Sequence, residues 1–282
     1  MVESRWWITA LTHAVLLLGV LVVLLPIYLA FVASTHPVQN VIQVPMPMLP
    51  GGHFWENYSQ VLGRGVPTVG NVPIAVMLFN SLVMALGIAA GKIAISILSA
   101  FAIVYFRFPL RMAFFWLIFI TLMLPVEVRI VPTFQVAADL NLLNSYTGLI
   151  LPLIASATAT FLFRQFFLTV PDELAEAARM DGAGPMRFFF DILLPLSRTN
   201  IAALFVILFI YGWNQYLWPL LITTDRDMTT VVISVQALVS VMEEEPQWHL
   251  LMAVAMLAML PPVAVVLLMQ RWFVKGLVEP EK

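Results

Sequence analysis

Few residues in this chain can do polar chemistry, because 61% of its 282 residues are hydrophobic and 11% are charged. Each charge inside an apolar stretch is therefore informative. Lys92 stands in the middle of one. A buried ammonium there either faces a water-filled passage, where it would suit a phosphate monoester, or pairs with a carboxylate or backbone carbonyls at a subunit contact. Glu127 and Arg129 lie between Pro125 and Pro132, where a broken helix would expose carbonyls. The donor fork of Arg129 suits phosphate; an internal pair with Glu127 or Asp139 is the other reading. Tyr211, Asn214, Gln215 and Trp218 recur at spacings of three and four, which on one helix makes a polar and aromatic stripe fit for a polyol or for anchoring at a membrane interface. No catalytic constellation appears: His13, His36, His53 and His249 have no metal-ligand spacing, cysteine is absent, and there is no nucleophile elbow. The expectation is binding and passage, with no catalytic residue and no metal site.

The elements that must hold these residues are membrane helices. A mean hydropathy of +0.95 is too high for one water-soluble core of this length. Spanning needs about 20 mostly apolar residues. Six stretches qualify: 8–32, 75–105, the short 112–126, 142–163 interrupted by Pro152, 201–223, and 250–269 with a kink expected at Pro261 and Pro262. The first is too long for a cleaved signal and lacks a small-residue cleavage site, so it reads as a retained helix. With the N-terminus inside, ten basic residues fall on the cytoplasmic side (Arg5, Arg107, Arg111, Arg164, Arg179, Arg187, Arg198, Arg271, Lys275 and Lys282) against Arg64, Arg129 and Arg226 outside. That bias puts both termini and the polar segment 164–199 in the cytoplasm.

Segment 164–199 reads as two short helices. Thr169 followed by Asp172 fits an N-cap with an acidic partner, Pro171 suits the first turn, Gly182 a stop, and Gly184-Pro185 a restart into 186–194. The first helix would be about 16 Å long at ~1.5 Å per residue. Ala177 and Ala178 would leave it smooth for close approach by a partner, Glu176 would offer a charge, and Gly182 would permit the reversal. An amphipathic helix lying on lipid headgroups is the alternative, but Asp172, Glu173, Glu176 and Asp181 make it acidic, which an anionic leaflet repels. Gly87-Ile88-Ala89-Ala90-Gly91-Lys92 has the glycines of a nucleotide loop one residue too close, with Ile93 in place of the hydroxyl. It reads instead as a small-residue packing face, which leaves no nucleotide loop in this stretch.

Glu176-Ala177-Ala178, Gly182 and Ile192-Leu193-Leu194-Pro195 resemble the cytoplasmic loop by which membrane subunits of ATP-binding-cassette importers dock onto their ATPases. Over nearly the whole chain the sequence is similar to the permease subunits of the maltose-type carbohydrate importers, most closely the branch that imports sn-glycerol 3-phosphate. The resemblance is carried by Phe106-Arg107-Phe108-Pro109-Leu110, by 122–129, by Leu143-Asn144-Ser145-Tyr146-Thr147-Gly148-Leu149 and by 211–220. It implies an all-α integral membrane domain, 1–282, with a coupling loop at 164–199 between the fourth and fifth of six helices. Glu176, Ala177, Ala178, Asp181, Gly182, Ile192 and Pro195 would couple it to the ATPases. It further implies a heterodimer with a sister permease in a bacterial inner membrane, two ATPase subunits that carry ATP and magnesium, an extracytoplasmic substrate-binding protein, and no nucleic acid. This chain would bind no cofactor and catalyse nothing. The implied cargo is sn-glycerol 3-phosphate or a related glycerophosphodiester; the same importer class for a neutral sugar or polyol is the alternative.

Loops 33–73 and 224–248 would lie outside. The first reads as an irregular cap rich in proline and glycine. The second resembles the loop that reaches into the binding protein in maltose-type importers, and a re-entrant or surface helix at 231–241 is the other reading. The C-terminus departs from relatives with a glycine-rich tail, which makes a regulatory insertion unexpected. An ion-driven secondary transporter is a remote alternative, since no internal repeat shows and Lys92 is nearly alone among buried ionisable groups.

Overall fold

A computed structural model describes residues 6–67, 70–121, 126–241 and 247–278, apart from the side chains at 126, 127, 241 and 273–278. Every regular element among them is helical. In order these are α1 (Trp6–Ser34), α2 (Val38–Val41), α3 (Phe54–Arg64), α4 (Ile74–Tyr105), α5 (Arg111–Ile120), α6 (Val126–Asp139), α7 (Tyr146–Ile150) running into a 3₁₀ turn (Leu151–Leu153), and α8 (Ala157–Phe167). There follow α9 (Asp172–Met180), α10 (Pro185–Phe188), a π turn (Phe189–Leu193), α11 (Leu194–Leu196), α12 (Arg198–Trp213), α13 (Leu217–Ile222), α14 (Val231–Val241) and α15 (Trp248–Val278). The chain divides into two compact units, 1–76 with 234–260 and 77–233 with 261–282.

Among the described residues three helices are long and apolar enough to cross a bilayer: α1, α4 and residues 248–272 of α15. Two bent pairs raise the number to five, Tyr146–Leu153 with Ala157–Phe167 at 51° and Pro185–Leu196 with Arg198–Trp213 at 71°. The expected interruption near Pro152 thus occurs, although Pro152 lies within the 3₁₀ turn and the bend follows it. Three expectations need correction. The short third stretch ends as a helix at Ile120, and Pro132 lies inside α6 rather than beside a break. One proline removes one donor and strains one turn, which the rest of a 14-residue helix can carry. The stretch 201–223 is two helices, because α12 stops at Asn214. Both Pro261 and Pro262 lie inside α15.

In the unit formed by 1–76 and 234–260, the loop after α1 is more ordered than its composition suggests. The 11-residue α3 returns to the end of α1. There Asn57 Nδ2 donates to the carbonyls of Ser34 (2.9 Å) and His36 (3.0 Å), and the Ser34 and Tyr58 hydroxyls lie 2.9 Å apart. Burial pushes the Tyr58 hydroxyl above its ordinary pKa, and the Ser34 bond opposes that rise.

In the other unit α4 is the central helix. A Cβ on Gly87 or Gly91 would strike Ile150 or Ile154, and one on Gly212 would come within 2.9 Å of the Ala85 Cα. Small residues therefore let α7 and α12 approach α4 on the expected packing face. Met84, Ile88, Ile130, Ala137, Leu149, Leu153, Trp218 and Ile222 close the core.

Candidate functional site

The segment 172–196 takes its shape from its own backbone. Helix α9 ends in a left-handed residue, Gly182 at φ +72°. Ala183 N–H bonds the Ala178 carbonyl (2.8 Å) and Gly182 N–H that of Arg179 (3.0 Å), the paired bonds of a Schellman stop. The expected reversal at Gly182 is therefore present. The expected cap is not: Pro171 precedes α9 without a side-chain cap, and the Thr169 hydroxyl donates back to Phe166 O at 2.7 Å. Its hydroxyl is occupied by the helix it leaves.

Glu176, Ala177 and Asp181 face outward, as do Met180 (84% exposed) and Met186. Ala178 does not. It is buried, on the wall of a cavity shared with Phe101, Tyr105, Phe106 and Phe188, so it seats α9 on its own chain instead of presenting a smooth face to a partner. The second expected helix, 186–194, is also revised. It widens into the π turn at Phe189–Leu193 because Pro195 has no N–H for the Asp191 carbonyl and its ring crowds that turn. Ile192 and Pro195 are half-buried there. Arg187 Nε donates to Asp191 Oδ2 at 3.3 Å, an exposed pair of little stabilising value.

Of the candidate passage residues, the structure brings Lys92 and Tyr211 together. Lys92 is 7% exposed, and its Nζ stands 3.7 Å from the centroid of the half-buried Tyr211 ring. A desolvated cation over an aromatic face gains about 2 kcal/mol, which offsets part of the cost of burying the charge. Gln215 Nε2 donates to the Tyr211 carbonyl at 3.2 Å. Arg129 is exposed on α6. The Glu127 side chain lies outside the described residues, as does 122–125 between α5 and α6. The four-residue stripe does not form. Asn214 ends α12 and faces out, while Trp218 sits on α13, 2% exposed, with its indole N–H on the Gly148 carbonyl at 3.0 Å. Trp218 belongs to the core because the chain turns at 214–216.

Sequence reading missed the residues that fasten the segment after α13. Buried Asn80 donates to the carbonyls of Asp227 (2.7 Å) and Thr229 (3.0 Å) and accepts from the Tyr146 hydroxyl (2.7 Å). Asn144 Oδ1 accepts from the N–H groups of Thr224 (2.7 Å) and Asp225 (2.9 Å), and Ser81 Oγ accepts from Val231 N–H (2.9 Å). An asparagine inside an otherwise apolar run at 74–86 was the available signal.

The described residues thus form apolar helices with a polar, turn-bounded segment between them. Residues 92–279 match the family model described as binding-protein-dependent transport system inner membrane component, and the chain belongs to that family. Among curated relatives it is 62% identical over 282 residues to the sn-glycerol-3-phosphate transport system permease protein UgpE of Yersinia enterocolitica. It is 61% identical to that of Rhizobium meliloti and 59% to that of Pectobacterium atrosepticum, with all of each chain covered. Its fold is similar to a solved chain of a bacterial ABC transporter involved in the import of the acidic polysaccharide alginate (TM-score 0.79, 19% identity, 97% of this chain and 99% of that one).

Proposed function

We propose that this chain is the permease subunit through which sn-glycerol 3-phosphate, or a related glycerophosphodiester, enters the cell in an ATP-driven importer. The observation that carries this reading is full-length identity of 59% to 62% with permeases of that system from three genera. The chain works as one membrane domain, 1–282, beside a sister permease, with an extracytoplasmic binding protein delivering cargo and two partner ATPases holding ATP and magnesium. This chain contributes no catalytic group.

Six crossings are proposed: α1, α4, α5 with α6, α7 with α8, α12 with α13, and α15. Residues 185–196 carry Arg187 and Asp191 and adjoin Arg198, so they belong at the cytoplasmic surface rather than in a crossing with α12. Both termini are then cytoplasmic, and 33–73 and 224–248 lie outside, the latter offering the exposed Gln236, Val239 and Ser240 face of α14 to the binding protein. Segment 164–199 meets an ATPase through Glu176, Ala177, Asp181 and the Gly182 turn, with Ile192 and Pro195 shaping its return. Closure of the ATPases on ATP would draw such segments together and turn the passage outward. The test is uptake of labelled sn-glycerol 3-phosphate by vesicles containing the complete importer with its binding protein. ATP-dependent uptake is expected; uptake of a neutral sugar alone would discard the phosphate, and uptake driven by an ion gradient without ATPases would discard the importer.

A further inference from the structure

We propose that Lys92, positioned by the ring of Tyr211, is the subsite that receives the phosphate of the cargo in transit and favours a phosphate ester over a neutral sugar. This rests on the importer reading and names the chemistry of its passage. An ammonium buried in a membrane domain needs compensation. A carboxylate would supply most, but it would cancel the charge and repel an anion. Among the described residues no carboxylate lies within ion-pair distance of Lys92. Its Nζ stands 3.7 Å over the Tyr211 ring instead, and a ring quadrupole holds a cation without neutralising it.

Tyr211 is itself well placed for this. It lies in the last turn of α12, whose C-terminal end carries partial negative charge. The next residue, Gly212, sets α12 against the α4 backbone at Ala85, two turns from Lys92. A phosphate can take the three donors of the ammonium, whereas a neutral polyol gains nothing from the charge.

The test is uptake by vesicles containing the complete importer, with sn-glycerol 3-phosphate delivered by its binding protein. Lys92→Met is expected to lower uptake kcat/KM about tenfold or more, the loss of a charge-assisted hydrogen bond, and Lys92→Arg to recover most of it. Tyr211→Leu is expected to cost about fivefold and Tyr211→Phe no more than about twofold, because the ring and not the hydroxyl positions the cation. Lys92→Met equal to wild type, or Tyr211→Phe as poor as Tyr211→Leu, overturns the proposal. Failure of Lys92→Met to co-purify with the sister permease also overturns it, since the lysine is then a subunit contact; the tyrosine pair remains a separate check. A wild-type importer that takes up only a neutral sugar removes both this subsite and the proposed cargo. Wild-type uptake of sn-glycerol 3-phosphate leaves the variants to judge Lys92 alone.

Discussion

The Gly182 turn and the segment after α13 are both held by hydrogen bonds, yet the bonds differ in kind. At Gly182 they run between backbone groups within five residues, and the surrounding side chains, Glu176, Ala177, Met180 and Asp181, face outward. After α13 they run from Asn80, Ser81 and Asn144 to backbone groups 80 to 150 residues away. A locally closed turn keeps its shape while leaving its surface free for another protein. The segment after α13 instead keeps its place only while α4 and α7 stay packed against it.

The largest effect is expected at Asn80. Asn80→Ala leaves the Tyr146 hydroxyl and two carbonyls without their partner, and a loss of about 3 kcal/mol is expected at 1–3 kcal/mol per orphaned buried group, measured as unfolding of the purified chain in detergent. A loss below that of an exposed substitution would show that the segment is held by other means. At the turn, Gly182→Val should cost about 1–2 kcal/mol from the left-handed backbone alone, because nothing lies within 4 Å of a Cβ there. Gly182→Asn should cost less, since asparagine tolerates that conformation. Trp218→Phe removes the bond to Gly148 and should cost about 1 kcal/mol, with uptake kinetics otherwise as in wild type; a cargo-specific defect would return Trp218 to the passage. The smallest effect is expected for Thr169→Ala. Its hydroxyl does not cap α9, so a change under about 0.5 kcal/mol is expected, against about 1 kcal/mol for a true N-cap.

These contrasts also explain what could be read from the chain alone. Apolar length marked α1 and α4 to within two residues at each end, because a membrane helix satisfies its own backbone. Gly182 was legible because its motif is local, and Gly87 and Gly91 because small residues at that spacing permit close approach. Helical spacing alone carried Tyr211 through Trp218 onto one face and missed the turn at 214–216, which depends on where α13 must pack. The direction of Ala178 was equally hidden, since it is set by Phe101, Tyr105 and Phe188 on other elements. Lys92 could be flagged as costly, but its aromatic partner lies 119 positions later in the chain, at Tyr211.

In the proposed importer this chain passes the cargo and the turn at Gly182 carries the ATPase signal. The most direct measurement is ATP hydrolysis by the purified complete importer, with binding protein loaded with sn-glycerol 3-phosphate, for wild type and Gly182→Val at equal assembly. Stimulation in wild type that is lost in the variant is predicted. A variant stimulated as strongly as wild type would contradict the coupling role, and a wild type stimulated only by a neutral sugar would contradict the cargo.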